Sequence, residues 1–218
     1  MDKYRKRYSF PFHLRQPDHR IRWHEKEISQ FNNSLLDTLP LVTDWDCAID
    51  GGSYVGTWTW VMAQQFKTVY AFEPTKSSWE ELCFNMASFH NVICSNSALG
   101  NINGRGLLLR PKGMLVTNTV VPDEAGDVDV VTIDSLNLDN LNLLKLDLNG
   151  GDTLALYGAR ETLIRCHPVI IVEEKALGKD TVGTSANATD KFLRSVDYMH
   201  VRTSRPDCIY VHKNHSGN

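Results

Sequence analysis

The sequence predicts a doubly wound α/β fold: a mostly parallel sheet covered on both faces, with an antiparallel C-terminal hairpin. Three observations carry this. From Asp46 onward, apolar runs of strand length alternate with amphipathic segments of helix length. A glycine-rich turn, Gly51-Gly52, follows the first run, and four of the runs close on a carboxylate, at Asp50, Glu73, Asp147 and Glu173. Strands that alternate with helices and read as continuous apolar runs belong to parallel sheets buried on both sides.

The elements follow in order. Residues 1–45 read as a basic, aromatic-rich extension, with Lys3, Arg5, Lys6, Arg7, Arg15, Arg20, Arg22 and Lys26. Within it Ile28, Phe31, Leu35 and Leu39 fall on one face of a helix over 23–39. Residues 46–218 form the α/β domain. Its first strand, 47–50, is followed by the glycine turn and a helix over 57–65. A second strand, 68–73, meets Pro74, which suits the first turn of a helix running to about 89. The third strand is 92–96. Residues 100–134 break the alternation, with Asn101, Asn103, Gly104 and Gly106 at a turn and β-like runs at 107–109, 117–121 and 128–133, so this stretch reads as antiparallel additions or an inserted hairpin. Strand four, 143–147, a helix over 152–165 and strand five, 169–173, resume the alternation. A further helix near 190–196 and two strands, 200–202 and 209–212, form the end.

Composition narrows the function classes. A net charge of -3 argues against a chain built mainly to coat nucleic acid. The five cysteines include no C-x-x-C pair, which disfavours a disulfide framework or a zinc site and fits a reducing cytoplasm. Cys47, Cys94 and Cys208 sit in strand-like surroundings, where a thiol acts as a small hydrophobe. The start, Met1-Asp2-Lys3, is not that of a secretory leader, and no apolar run has the roughly 18 residues of a membrane span.

The chemistry concentrates where ligands bind in such sheets, outside the carboxyl ends of the strands. In Asp50-Gly51-Gly52-Ser53-Tyr54-Val55-Gly56, small residues let the backbone approach a ligand, and amides at the following helix start can hold a carboxylate. The leading acid suits a ligand with an ammonium and a fixed sulfonium charge, and would repel a pyrophosphate. A dinucleotide fingerprint would need glycine where Ser53 stands. In Phe72-Glu73-Pro74, the carboxylate can accept hydrogen bonds from both hydroxyls of a ribose, or cap the next helix. Ser97 and Ala98, beyond strand three, are candidate adenine neighbours. Asp147 and Glu173 end adjacent strands, and Lys145 shares a strand face with Asp147, within reach of an internal ion pair. Two such acids can also hold a hard cation through oxygen, although no metal is expected.

Taken together, Asp50 to Gly56, Phe72-Glu73-Pro74, Leu144 to Gly150 and Pro168 to Glu173 resemble the FkbM family of S-adenosylmethionine-dependent methyltransferases, as does Tyr157-Gly158-Ala159 between the last two. The resemblance implies a class I methyltransferase-like Rossmann fold and S-adenosylmethionine as cofactor. Asp50, Gly51, Gly52, Ser53, Tyr54, Gly56, Phe72, Glu73, Pro74, Ser97, Ala98 and Asp147 are the expected cofactor residues. Asp147, Lys145 and Glu173 are the expected catalytic group, with Asp147 orienting the acceptor or taking its proton. It further implies O-methylation of a sugar or other small hydroxyl compound. The basic N-terminal segment raises a nucleic-acid or protein acceptor as the alternative. Two positions depart from the family pattern: Tyr54 replaces an Asn, and Asn149 replaces a Glu, which raises the further alternative of a cofactor-binding protein without turnover.

Overall fold

The computed structural model describes residues 34–109, 119–173, 187–204 and 207–215. Most of the predicted N-terminal helix lies outside these. Its described end, residues 34–38, is helical and runs into a 3-10 turn at Leu39–Leu41. Leu35 and Leu39, on the predicted apolar face, are fully buried.

Seven strands form the central sheet: β1 (Cys47–Gly51), β2 (Thr68–Phe72), β3 (Val92–Ser95), β8 (Leu141–Leu146), β9 (Val169–Glu173), β10 (Tyr198–Ser204) and β11 (Asp207–His212). Their order across the sheet is β10-β11-β9-β8-β1-β2-β3. All neighbours pair in parallel except β11, which is antiparallel to both β9 and β10. The central sheet thus has the predicted architecture, including the terminal hairpin.

Alternation along the strands divides the core into two layers. Ala48, Val69, Leu143, Val169, Ile171, Ile209 and Val211 pack against Leu35, Leu39 and the helix α1 (Thr57–Ala63) through Trp58, Val61 and Met62. Helix α2 (Lys76–Met86) adds Leu82 and Met86 over Ala71. Ile49, Leu144, Leu146, Ile170 and Val172 face the other way, onto α3 (Asp152–Tyr157), α4 (Arg160–Cys166) and α5 (Ala188–Ser195) through Leu156, Leu163 and Leu193. Each layer removes large aliphatic side chains from water, the dominant favourable contribution to folding.

Two expectations are revised. The single helix over 152–165 is two helices, broken at Gly158. A Cβ at this position would meet the Gly100 carbonyl oxygen at 2.0 Å, so the chain bends where only glycine fits. Asp134 then caps the second helix from outside, accepting from the amides of Glu161 (3.1 Å) and Thr162 (2.8 Å). The insertion is also larger than a hairpin. It is a second sheet made by β4 (Ser97–Leu99), β5 (Gly104–Leu109), β6 (Thr119–Pro122) and β7 (Val128–Val131), in the order β4-β7-β5-β6. Here β5 is antiparallel to both β6 and β7, while β4 pairs with β7 in parallel.

All five cysteines are free thiols, and burial pushes those of Cys47 and Cys94 up to about 12. Among the described residues, no helix is long and apolar enough to cross a membrane.

Candidate functional site

The carboxyl rim of the sheet is set by register. β1 pairs Gly51 with Phe72 on one side and with Leu146 on the other, and Leu146 pairs with Val172. One residue further on, Glu73, Gly52, Asp147 and Glu173 therefore stand abreast across four strands. Asp207 is directly opposite Glu173 and extends the row onto β11. By the two-residue alternation these side chains share the sheet face that carries α1.

The glycine turn is tightly bonded. Gly52 and Ser53 both donate their amides to the Phe72 carbonyl (3.0 Å each), and Gly56 donates to Ser53 (2.8 Å). Gly52 lies at φ 74, and a Cβ there would meet the Asp147 carbonyl oxygen at 2.0 Å, so glycine is required on both conformational and steric grounds. Tyr54 also takes a left-handed conformation, at φ 50, and its amide donates to Glu73 Oε2 at 3.0 Å. These turn amides are engaged within the protein, so the turn itself offers fewer open donors than its sequence suggests.

Glu73 is 7% exposed. Its Oε1 accepts from the Thr75 amide (2.8 Å) and its Oε2 from Tyr54, so the carboxylate ties the first turn to the start of α2. Burial raises its pKa against the opposing pull of the Thr75 amide and hydroxyl and the Tyr54 amide. The capping role expected of Glu73 is the one its bonds display. It caps the next segment, and two amide donors use only part of the about four lone-pair sites of a carboxylate. Asn96 braces the same corner, donating to the Glu73 and Pro74 carbonyls at 2.9 and 3.1 Å.

Asp50 stands in a different place from the other acids. It lies directly opposite Lys145 in the register and is fully buried beneath the rim. Its Oδ1 is 2.9 Å from Lys145 Nζ, and its Oδ2 accepts from Thr59 Oγ1 at 2.6 Å. Ser53 Oγ donates to the Asp50 carbonyl at 2.6 Å. The acid expected to meet a cationic ligand is thus committed to an internal cation. Lys145, grouped with the catalytic candidates, is 4% exposed; its ion-pair partner is Asp50, and it also donates to the Gly51 and Gly52 carbonyls. Burial opposes its charge, yet the carboxylates of Asp50, Asp147 and Asp207 together raise its pKa, so it stays an ammonium.

Of the remaining candidates, Phe72 is in the core and reaches the turn through its carbonyl. Ser97 and Ala98 lie buried on β4, where Ser97 Oγ is 2.8 Å from Ser95 Oγ. Among the described residues, no cluster of three or more His, Cys, Asp or Glu side chains has a metal-binding arrangement.

A model of the methyltransferase FkbM domain matches residues 50–199 of this sequence. The chain belongs to the FkbM methyltransferase family. A crystal structure of an FkbM methyltransferase from Methylobacillus flagellatus is similar, at 19% identity and TM-score 0.51 over 77% of this chain and 44% of that one. The present chain therefore spans less than half the length of that relative. An rRNA methylase from Streptococcus thermophilus shares the fold at 11% identity and TM-score 0.50, over 88% of this chain and 96% of that one. No curated protein matches the sequence.

The two departures from the FkbM pattern have a conformational side. Asn149 lies at φ 54, followed by Gly150 at φ 98, and asparagine tolerates this left-handed region better than glutamate does. Its carbonyl accepts from Thr119 Oγ1 at 2.7 Å, joining the second sheet to the rim. Tyr54 occupies a left-handed position that an asparagine would take with less strain.

Sequence reasoning missed two rim acids. Asp152 is buried at the start of α3 and accepts from the Leu148 (3.0 Å) and Gly150 (3.2 Å) amides, which shapes the loop after Asp147. Its pKa rises to about 6 through burial and the neighbouring Asp147. The signal was available, since an acid directly after Gly150-Gly151 marks a helix start. Asp207 is 6% exposed, and burial raises its pKa to about 6, with Asp147 adding to the rise and Ser34 and Lys145 opposing it. The sequence does not mark it, because it begins an antiparallel strand, whereas ligands in such sheets bind at the ends of parallel ones.

Proposed function

We propose that this chain binds S-adenosylmethionine across the tips of β1, β2 and β8 and methylates a hydroxyl of a sugar or another small molecule. The observation that carries the reading is the register row, which sets Glu73 and Asp147 on opposite sides of the Gly52 turn. The residues suit the cofactor: Glu73 has lone pairs beyond those used by its two amide donors, and Gly52 lets the turn close against the tip of β8, which brings Glu73 and Asp147 to its two sides.

When bound, S-adenosylmethionine supplies an electrophilic methyl group on a sulfonium. The protein's own tasks are to orient and to move a proton. On this reading Asp147, half-buried at the tip of β8, orients an acceptor hydroxyl and takes its proton, with Glu173 and Asp207 beside it in the row. Lys145 acts beneath them and is not assigned a proton-transfer step.

Calorimetric titration with S-adenosylmethionine tests the reading. Glu73→Ala removes the ribose acceptor and is expected to weaken binding about 10- to 100-fold, the scale of one or two charge-assisted hydrogen bonds. Unchanged affinity would place the nucleoside elsewhere.

A nucleic-acid or protein acceptor is the second reading, favoured by the basic residues of the N-terminal segment. The acidic row on the acceptor side works against phosphate. Binding of RNA that weakens steeply with salt would support this alternative.

A further inference from the structure

We propose that Lys145 is a positioning residue: its ammonium clamps the Gly51 and Gly52 carbonyls and thereby fixes the turn that receives the cofactor. The proposal rests on the cofactor reading above. An ammonium has three N–H donors, and Lys145 Nζ forms an ion pair with Asp50 Oδ1 (2.9 Å) while it donates to Gly51 O (3.0 Å) and Gly52 O (3.0 Å). Its face is backed by the Trp58 ring, 5.5 Å from the centroid.

Neutralising a buried acid would need only the first of these contacts. A buried ion pair is also a poor device for stability, because apolar residues of equal volume fill such a space at lower desolvation cost. The two carbonyl contacts point to a different task. Gly51 O accepts from Lys145 and also from the Asp147 amide, at 3.1 Å. The same oxygen thus links the turn, the clamp and the tip of β8. Asp50 holds the ammonium in place from β1 and is itself held by Thr59 of α1. Loss of the clamp removes the ammonium from the Gly52 carbonyl and leaves the Gly51 carbonyl to the Asp147 amide alone, so the turn's spacing from Glu73 and Asp147 is held less firmly.

The test compares Asp50→Asn with the double variant Asp50→Asn/Lys145→Met, both as full chains. Lys145→Met alone strands a buried carboxylate and is expected to lose the fold. The double variant removes both charges, and the amide that replaces the Asp50 carboxylate can still accept from Thr59. Melting temperature and calorimetric affinity for S-adenosylhomocysteine are read together. The expected order is wild type tightest, Asp50→Asn intermediate, and the double variant weakest, at least about tenfold below wild type while still folded. Equal affinities for Asp50→Asn and the double variant would overturn the clamp. So would a double variant that fails to fold where Asp50→Asn folds, since Lys145 then carries the fold itself. A wild-type protein that binds no S-adenosylhomocysteine overturns the cofactor reading as well, and is distinguished by needing no variant.

Discussion

The imidazole rings of His167 and His212 stack 3.6 Å apart and 11° from parallel, at the end of the sheet opposite the rim. His167 takes a left-handed conformation after α4, and His212, 5% exposed, closes β11. The Asn214 amide donates to His212 Nδ1 at 3.2 Å, so this nitrogen is unprotonated and the ring's hydrogen sits on Nε2. Tyr198 packs edge-on against the same ring.

Protonation of His212 is therefore disfavoured. Burial, then the His167 ring and Lys213, lower its pKa below the ordinary histidine value of 6.5, against the attraction of Asp197. A lowered pKa means that the unfolded chain takes up the proton first. This contribution to stability is complete above pH 6.5 and is lost as the pH falls below it. Between about pH 7.5 and 5, the melting temperature of the wild type should fall further than that of His212→Gln. Parallel curves would show that the ring pair does not govern acid sensitivity.

Asp207 has the opposite sign. Its folded pKa of about 6 lies above the ordinary 3.8, so its stabilising contribution is complete below 3.8 and is lost as the pH rises through about 6. Asp207→Asn should therefore be the more stable protein at about pH 8, by on the order of 2 kcal/mol, with the advantage vanishing toward about pH 4. Chemical denaturation at the two pH values measures this directly. A constant difference would mean that the carboxyl is not held protonated by its surroundings.

Asp147→Ala separates chemistry from affinity. Turnover should drop about 10²- to 10⁴-fold, the usual worth of a positioned acid or base, while cofactor affinity changes by only a few-fold. Steady-state rates beside calorimetry on the same preparation decide the matter. A loss confined to affinity would move Asp147 from the acceptor to the cofactor.

Gly158→Ala tests the junction between the two sheets. The backbone there, at φ -78, is open to any residue, so the penalty is purely steric, from a Cβ 2.0 Å from the Gly100 oxygen. A destabilisation of about 2–3 kcal/mol is expected. Since the Gly158 carbonyl accepts from the Asp134 amide at 2.8 Å, the cap on α4 should loosen with it. A near-neutral effect by thermal denaturation would mean that the second sheet shifts freely against the first.

Much of this was legible in the residues. Continuous apolar runs announced β1, β2, β8 and β9, and the carboxylates closing β2, β8 and β9 announced the rim, whereas Asp50 lies beneath it, paired with the buried Lys145. The break at Gly158 was not legible, since it depends on Gly100, far earlier in sequence and reached only through the second sheet. The partner of Lys145 was misread for a related reason. Spacing along β8 suggested Asp147, whereas the register across strands brings Asp50 opposite. Periodicity reports which face a residue takes; which residue it meets there is decided by pairing between segments.

The reversed direction of β11 divides the rim into two halves that differ in how freely they can change. Glu73 and Asp147 each end a strand whose parallel crossover is locked into both core layers, so altering their reach means rebuilding a helix connection. Asp207 begins its strand with no helical crossover between it and β10, and its place is set by pairing with Ser204 on one side and Glu173 on the other. One wall of the rim is thus tied to helix crossovers and the other to a strand pairing alone.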